Sequence, residues 1–304
     1  MKYSHQAILL VRKYFIFLLL LIFSGLSWAE NKPLGILLSE YTYIDYQAFL
    51  AGRDILEVES FDGPRARREV VEMILFVKAL HAGGYRTSYQ PIFSESRYLR
   101  ILKNLKRDKN RIAVNTFWLY DIKRSADDFY ITDPVIPMGK YVVGLYTSVK
   151  NKKALSIRSR EDLKDITVVS SKQWHVDWKA VNSMPFKAIY NAVEWFSMLR
   201  MVEANRADVM LFSFQASEDM GITRESIHII PVPNVKVVLP GSRHWVVSKN
   251  MDNAEEIYSA LQIGLAKMRK SGEVKKILNE SGFIHPKVDS WELLNAEIIP
   301  LLTP

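Results

Sequence analysis

The 304-residue sequence has no cysteine, which excludes disulfides, thiolate zinc sites, Fe–S clusters, a cysteine nucleophile and a lipidated N-terminal cysteine. Its 13 glycines and 12 prolines are too few for a collagen-like or low-complexity chain. The 6 histidines show no metal spacing: there is no His-Glu-x-x-His, and His175, His228 and His244 stand alone. Gly-x-Ser-x-Gly and P-loop motifs are missing too. Adjacent acids such as Asp127-Asp128 and Glu255-Glu256 fall on predicted surfaces, a poor arrangement for acid–base catalysis. The sequence therefore points away from an enzyme and implies no metal and no cofactor.

A single long apolar run is present, at the N-terminus. Tyr14 to Phe23 is unbroken over 10 residues, too short for the ~20 of a membrane span. Lys2, Arg12 and Lys13 supply positive charge, and no acid occurs before Glu30. Ser27-Trp28-Ala29 places small residues where a signal peptidase needs them. Residues 1–29 are predicted to be a cleaved secretory signal, delivering a soluble protein to the periplasm; an uncleaved anchor is the alternative.

With 48% hydrophobic and 24% charged residues, the remainder is expected to pack as one large domain or two ordinary ones. Losing Lys2, Arg12 and Lys13 lowers the formal charge from +8 to about +5, a modest excess. Arg65, Arg67 and Arg68, with Lys103, Lys106, Arg107, Lys109 and Arg111, have the spacing of solvated helix ends. No nucleic-acid partner is expected of an exported protein with this pattern.

Hydrophobic periodicity gives alternating strands and helices. Leu34 to Leu38 predicts a strand, followed by a tyrosine-rich stretch from Glu40 to Tyr46. Asp62-Gly63-Pro64 predicts a turn, with Pro64 opening a helix that carries Val70, Met73, Ile74, Val77 and Leu80 and stops at Gly83-Gly84. Tyr85 to Pro91 and Ile112 to Asn115 predict strands flanking a helix capped by Ser94. A similar unit follows: a strand over Tyr141 to Tyr146, a capped turn at Ser159 and Asp162, and a strand over Ile166 to Val169. Trp195, Met198, Leu199 and Val202 share a helix face, and Asn205 can turn the chain into the strand Val209 to Phe212. Pro231, Pro233 and Pro240-Gly241 are expected to break the chain before a strand at Trp245 to Ser248. Two C-terminal helices follow, on Ile257 to Met268 and on Val274 to Leu278. Strand–helix alternation indicates parallel sheets with crossover helices, in two α/β lobes.

Four segments resemble the periplasmic solute-binding proteins of ABC transporters, of the family that includes amino-acid binders. They are Leu119 to Pro134, Glu161 to Val169, Met198 to Leu211 and Ala266 to Phe283, in the family's order. The resemblance implies an α/β, two-lobe periplasmic binding protein type II fold, each lobe a mostly parallel sheet flanked by helices. Lobe I would comprise residues 30–142 and 242–304, and lobe II residues 143–241. Two hinge strands, near Tyr141 to Gly144 and Gly241 to Val246, would join them. It further implies a monomer that closes over a small, anionic or zwitterionic solute and passes it to an inner-membrane ABC permease. The alternatives are a periplasmic sensor that signals to a membrane partner and, ranked behind it, an enzyme on the same bilobal scaffold.

The resemblance aligns Arg124 with the family's ligand arginine, a guanidinium that can hold a carboxylate through two parallel hydrogen bonds. Lys123 is a competing equivalent, and a surface pairing with Asp121, Asp127 or Asp128 also accounts for Arg124. Asp121 stands where the family has threonine, and Ser213 where its amino-acid binders place the ammonium-holding aspartate. Aromatic residues fall where the family lines its cleft: Tyr41 and Tyr43, Phe117 and Trp118, Trp174 and Trp178. They can stack on a ligand or pack the core. Ser170, Ser171 and Lys172 lie at a strand-to-helix junction that suits an anion or, equally, a capped turn. Trp195 lies on an apolar stripe and reads as core. The ligand-binding set is thus Arg124, Tyr43, Phe117, Trp118, Asp121, Ser171, Lys172, Trp174 and Ser213.

Overall fold

The computed structural model describes residues 33–63, 65–94 and 98–298. The predicted signal over 1–29 lies outside them, as do Pro64 and the start of the helix expected after Ser94. Among the described residues no helix is long and apolar enough to cross a membrane.

The first sheet has three parallel strands in the order β2-β1-β3: β1 is Leu34–Leu38, β2 Tyr89–Phe93 and β3 Arg111–Ala113. Every residue of the central β1 is buried, as expected of a parallel strand covered on both faces. Pro91 sits in the edge strand β2, where a missing N–H costs no ladder bond. The tyrosine-rich stretch is helical: α1 spans Glu40–Leu50 because Ser39 caps it, accepting the Thr42 N–H at 3.1 Å. Helix α2 (Arg68–Ala82) is buried along most of its length. Helices α3 (Tyr98–Leu105) and α4 (Leu119–Ile122) follow, the latter running into a 3₁₀ segment, Lys123–Asp128.

Two short antiparallel pairs bring the late chain back to this side. β13 (Arg243–His244) pairs with β4 (Phe117–Trp118), and β14 (Val246–Ser248) with β5 (Phe129–Ile131). The long helix α8 (Ala254–Lys270) then crosses α2, and α9 (Glu273–Glu280) packs beside it. The crossing is close: a Cβ on Gly264 would lie 1.8 Å from the Ala79 carbonyl oxygen, and one on Gly83 1.9 Å from that of Ala260.

The second sheet runs β10-β11-β6-β9-β7-β8, with β6 at Val142–Ser148, β7 at Thr167–Ser170, β8 at Ala188–Asn191, β9 at Val209–Phe212, β10 at Ile222–Arg224 and β11 at Ile227–Pro231. β7, β8 and β9 are parallel, and β6 extends them antiparallel. Helix α5 (Lys152–Leu155) leads towards β7, and α6 (His175–Asn182) and α7 (Trp195–Glu203) cross between the parallel strands. Asp208 fastens β7 by accepting the Thr167 N–H and hydroxyl, both at 2.8 Å. Asn205 turns the chain with φ of 54°, as its residue type allows.

The expected break at Pro231 is not there. A hairpin of β10 (Ile222–Arg224) and β11 (Ile227–Pro231) lies against β6, with Pro231 at its last register position. β12 (Val235–Val238) follows before the chain leaves this sheet. Where the chain passes between sheets, β6 and β12 lie antiparallel, Val142 opposite Val238, and the Leu239 N–H donates to the Tyr141 carbonyl at 2.9 Å. Residues 286–295 make their contacts with the second sheet, not the first as their sequence position suggested. β15 (Glu292–Leu293) adds parallel to β12, and the Asn295 side chain bonds both the N–H and C=O of Val238 at 3.0 and 2.8 Å.

Candidate functional site

A cavity of about 310 Å³ lies between the two sheets, at the lower end of the ~300–1,000 Å³ range of small-molecule sites. Arg68 of α2, Tyr98 and Leu99 of α3, Trp118 of β4 and Arg243 of β13 line it from the first sheet's side. Tyr141, Val143 and Leu239 come from the linking strands. Gln173, Trp174, Asp177, Val193, Glu194, Trp195, Leu211, Phe212 and Ser213 come from the second sheet.

The first wall is held by a buried ion-pair network. Arg68 opens α2, and one turn later Glu72 is only 1% exposed. Arg68 Nη1 donates to both Glu72 carboxylate oxygens at 3.2 and 3.3 Å, while its Nη2 donates to Glu69 at 2.5 Å. Thr116 donates to Glu72 from its hydroxyl at 2.6 Å and its N–H at 3.1 Å. Arg243 Nε donates to that hydroxyl at 2.7 Å and Nη2 to the Thr116 carbonyl; Nη1 makes no hydrogen bond among the described residues. Burial works against charge here, yet Arg68 and Arg67 hold the Glu69 carboxyl down at about 2. The Arg68 guanidinium titrates above its usual range because Glu69 and Glu72 outweigh its desolvation.

Arg243 also lies 4.7 Å over the Trp118 ring, which stacks on Tyr141 at 5.2 Å and 24°. The Tyr141 and Ser213 hydroxyls, at the ends of the neighbouring strands β6 and β9, share a hydrogen bond of 2.7 Å. Burial raises the Tyr98 and Tyr141 hydroxyls, so both stay neutral donors or acceptors.

Asp177, in the first turn of α6, faces these arginines from the second wall. Burial pushes its carboxyl up to about 6, against the pull of Arg243, its own backbone N–H and Arg68. Among the described residues no side chain bonds to it. Above it stand Trp174, before α6, and Trp195, which opens α7 and lies 5.6 Å from Phe212.

Of the residues singled out in the sequence, Trp118, Trp174 and Ser213 meet at this cavity. Arg124 does not: it is exposed on the 3₁₀ segment, 5.6 Å over the Tyr120 ring, and Lys123 is exposed beside it. Phe117 is buried in the core against Tyr98, because alternation along β4 points it away from Trp118. Tyr43 is partly buried, packing against the core and on the exposed Phe93. Asp121 is buried and bonded to His175 at 2.6 Å. Ser171 is buried, its hydroxyl accepting the Gln173 N–H, and the Lys172 N–H is taken by Asn191 at 2.9 Å. The Lys172 ammonium instead lies 5.7 Å over Trp178, outside the cavity.

The cations at the cavity are thus Arg68, which the sequence placed on a solvated helix end, and Arg243, which carried no motif. Trp195 lines the cavity as well as packing on Phe196 and Phe212. Arg243 was legible only as a charge just before the predicted strand Trp245 to Ser248.

No protein-family model matches the sequence, and no curated protein does. Solved structures do match. The probable amino-acid ABC transporter extracellular-binding protein ytmK from Bacillus subtilis superposes with a TM-score of 0.53 at 16% identity, covering 83% of this chain and 99% of its own. The periplasmic VFT2 domain of BvgS from Bordetella pertussis gives 0.50 at 11% identity, covering 69% of this chain and 83% of its own. At such identities the likeness is one of fold. The chain has the two-lobe α/β fold of periplasmic binding proteins, with the cavity in the cleft between its lobes.

Proposed function

We propose that this is an exported solute-binding protein whose lobes close over a small zwitterionic solute for delivery to an ABC permease. One observation carries the reading: the cleft cavity has Arg68 and Arg243 on one lobe and the unpaired Asp177 carboxylate on the other. A solute carboxylate meets Arg243 Nη1 and the half-buried Arg68, and a solute ammonium gives Asp177 the direct hydrogen-bonded partner that no side chain among the described residues provides. Each end of the solute is then held by a different lobe, so its binding energy is available only in the closed form, which drives closure.

Lobe I would comprise 30–142 with the chain from 242 to the end of α9, and lobe II 143–241 with β15 and its flanks. Paired β6 and β12 would act as the hinge. Export follows from the signal read over residues 1–29, and binding rather than catalysis from a cleft whose charges are paired within the protein or matched to a ligand's. A thermal-shift screen of the purified protein against small zwitterions, carboxylates and amines tests the proposal. Stabilisation by zwitterions, lost in Asp177→Asn and Arg243→Gln, is the expected result. If no solute stabilises the protein at millimolar concentration, the proposal fails.

A further inference from the structure

The zwitterion proposed above has a charged head at each lobe, and aromatic residues are the largest group in the cavity wall, ahead of five aliphatic ones. Six aromatic rings line it. Trp118 and Tyr141 are engaged with each other and with Arg243, and both are buried. Tyr98, Trp174, Trp195 and Phe212 are different: each is only partly buried while lining the cavity. Ring surface left open in a cleft is apolar area that only a ligand can cover, at about 25 cal/mol per Å², with a further ~0.5–1.5 kcal/mol for ring–ring geometry.

Volume and charge narrow the class. The cavity of about 310 Å³ is roughly twice the ~150 Å³ that houses one benzene, leaving room for a single ring and a polar head. A second carboxylate on the solute would lie against a wall that carries both Asp177 and Glu194. An aliphatic solute would fill the space without using the rings.

We infer that the solute is an aromatic zwitterion, an α-amino acid with one ring, seated between Tyr98 of the first lobe and Trp174, Trp195 and Phe212 of the second. This rests on the zwitterion reading, and the experiment separates the two.

Isothermal titration of the purified protein would use L-phenylalanine, L-tryptophan, L-alanine, L-glutamate, 3-phenylpropanoate and phenethylamine. The expected result is that an aromatic amino acid binds about tenfold or more tighter than L-alanine or L-glutamate, and tighter than either singly charged ring compound. Trp195→Leu and, separately, Trp174→Leu should remove most of the aromatic preference, bringing L-phenylalanine affinity down towards that of L-alanine measured in the same variant; Trp195→Phe should restore it. L-Alanine or L-glutamate binding as tightly as L-phenylalanine would overturn the aromatic inference and leave the zwitterion reading standing. Equal binding of 3-phenylpropanoate or phenethylamine would overturn the zwitterion reading, and with it the inferred amino acid. An unchanged aromatic preference in both leucine variants would remove these rings from the site.

Discussion

His175 Nδ1 lies 2.6 Å from Asp121 Oδ1, joining the first residue of α6 in one lobe to α4 in the other. The Asp121 side chain is 1% exposed, so its charge has little water to fall back on if the bond opens. Tyr120 lies 5.6 Å from the same imidazole ring. At another rim Arg224 of β10 reaches Asp45 of α1 at 3.9 Å and covers the Tyr41 ring at 5.1 Å. These contacts clasp the cleft from outside the cavity. A hydrogen bond to a charged group contributes about 1.5–3 kcal/mol. His175→Ala should therefore enlarge the ligand-free radius of gyration in small-angle scattering and weaken solute binding by roughly tenfold. Unaltered scattering and affinity would mean that the clasp does not influence closure.

Asp177 should make binding depend on pH. Its carboxyl, raised to about 6 by burial, is stabilised in the protonated form, so its contribution to ligand-free stability is complete below the unfolded value and lost as pH rises through about 6. A bound ammonium reverses this preference and draws the proton off. Affinity for a zwitterion should then rise between about pH 5 and about pH 7, with proton release measurable by calorimetry in buffers of different ionisation enthalpy. Asp177→Asn should flatten the profile; a slope that persists in that variant would assign the proton elsewhere.

Glu72 should matter more to stability than any other acid at the cleft. It alone accepts from Thr116 twice, pairs with Arg68 and stands 3.7 Å from Arg243. Replacing it with glutamine strands buried positive charge, and the expected loss is about 3–5 kcal/mol in denaturant unfolding. A loss below about 1 kcal/mol would show that water or rearranged side chains replace it.

Gly264→Ala tests the helix crossing. The added methyl meets the Ala79 carbonyl, which is backbone and cannot swing aside, so α2 and α8 must separate. Overpacking of this kind costs about 1–3 kcal/mol, or roughly 2–4 °C in Tm for each kcal/mol in a domain of this size. An unchanged melting temperature would mean that the crossing is looser than its geometry.

Local pattern made much of the fold legible. The apolar run Val209 to Phe212 is a strand with those bounds, and the Trp195–Val202 stripe is one face of α7. Periodicity reports which face an element buries, and that information is local. The hairpin of β10 and β11 and strand β12 escaped because prolines at 231 and 233 read as a break. At the end of β11, Pro231 needs no N–H for the ladder. Helix α1 escaped because its tyrosines masked the cap at Ser39.

The cleft was only partly legible. Trp118, Trp174 and Ser213 were found through the resemblance, at positions where the family lines its cleft. Arg68, Asp177 and Arg243 were not, since nothing in their neighbours distinguishes them from surface charges. Their meaning arises from long-range contacts: Thr116 joins Glu72 across 44 residues and Arg243 across 127.

Composition and pattern by themselves determined that this chain folds into alternating α/β units and has no cysteine thiol chemistry. Which charges lie in the cleft was decided only by the tertiary structure. Burial and pairing depend on what distant segments bring to the same place, and a guanidinium in water and one locked against Glu72 are spelled alike.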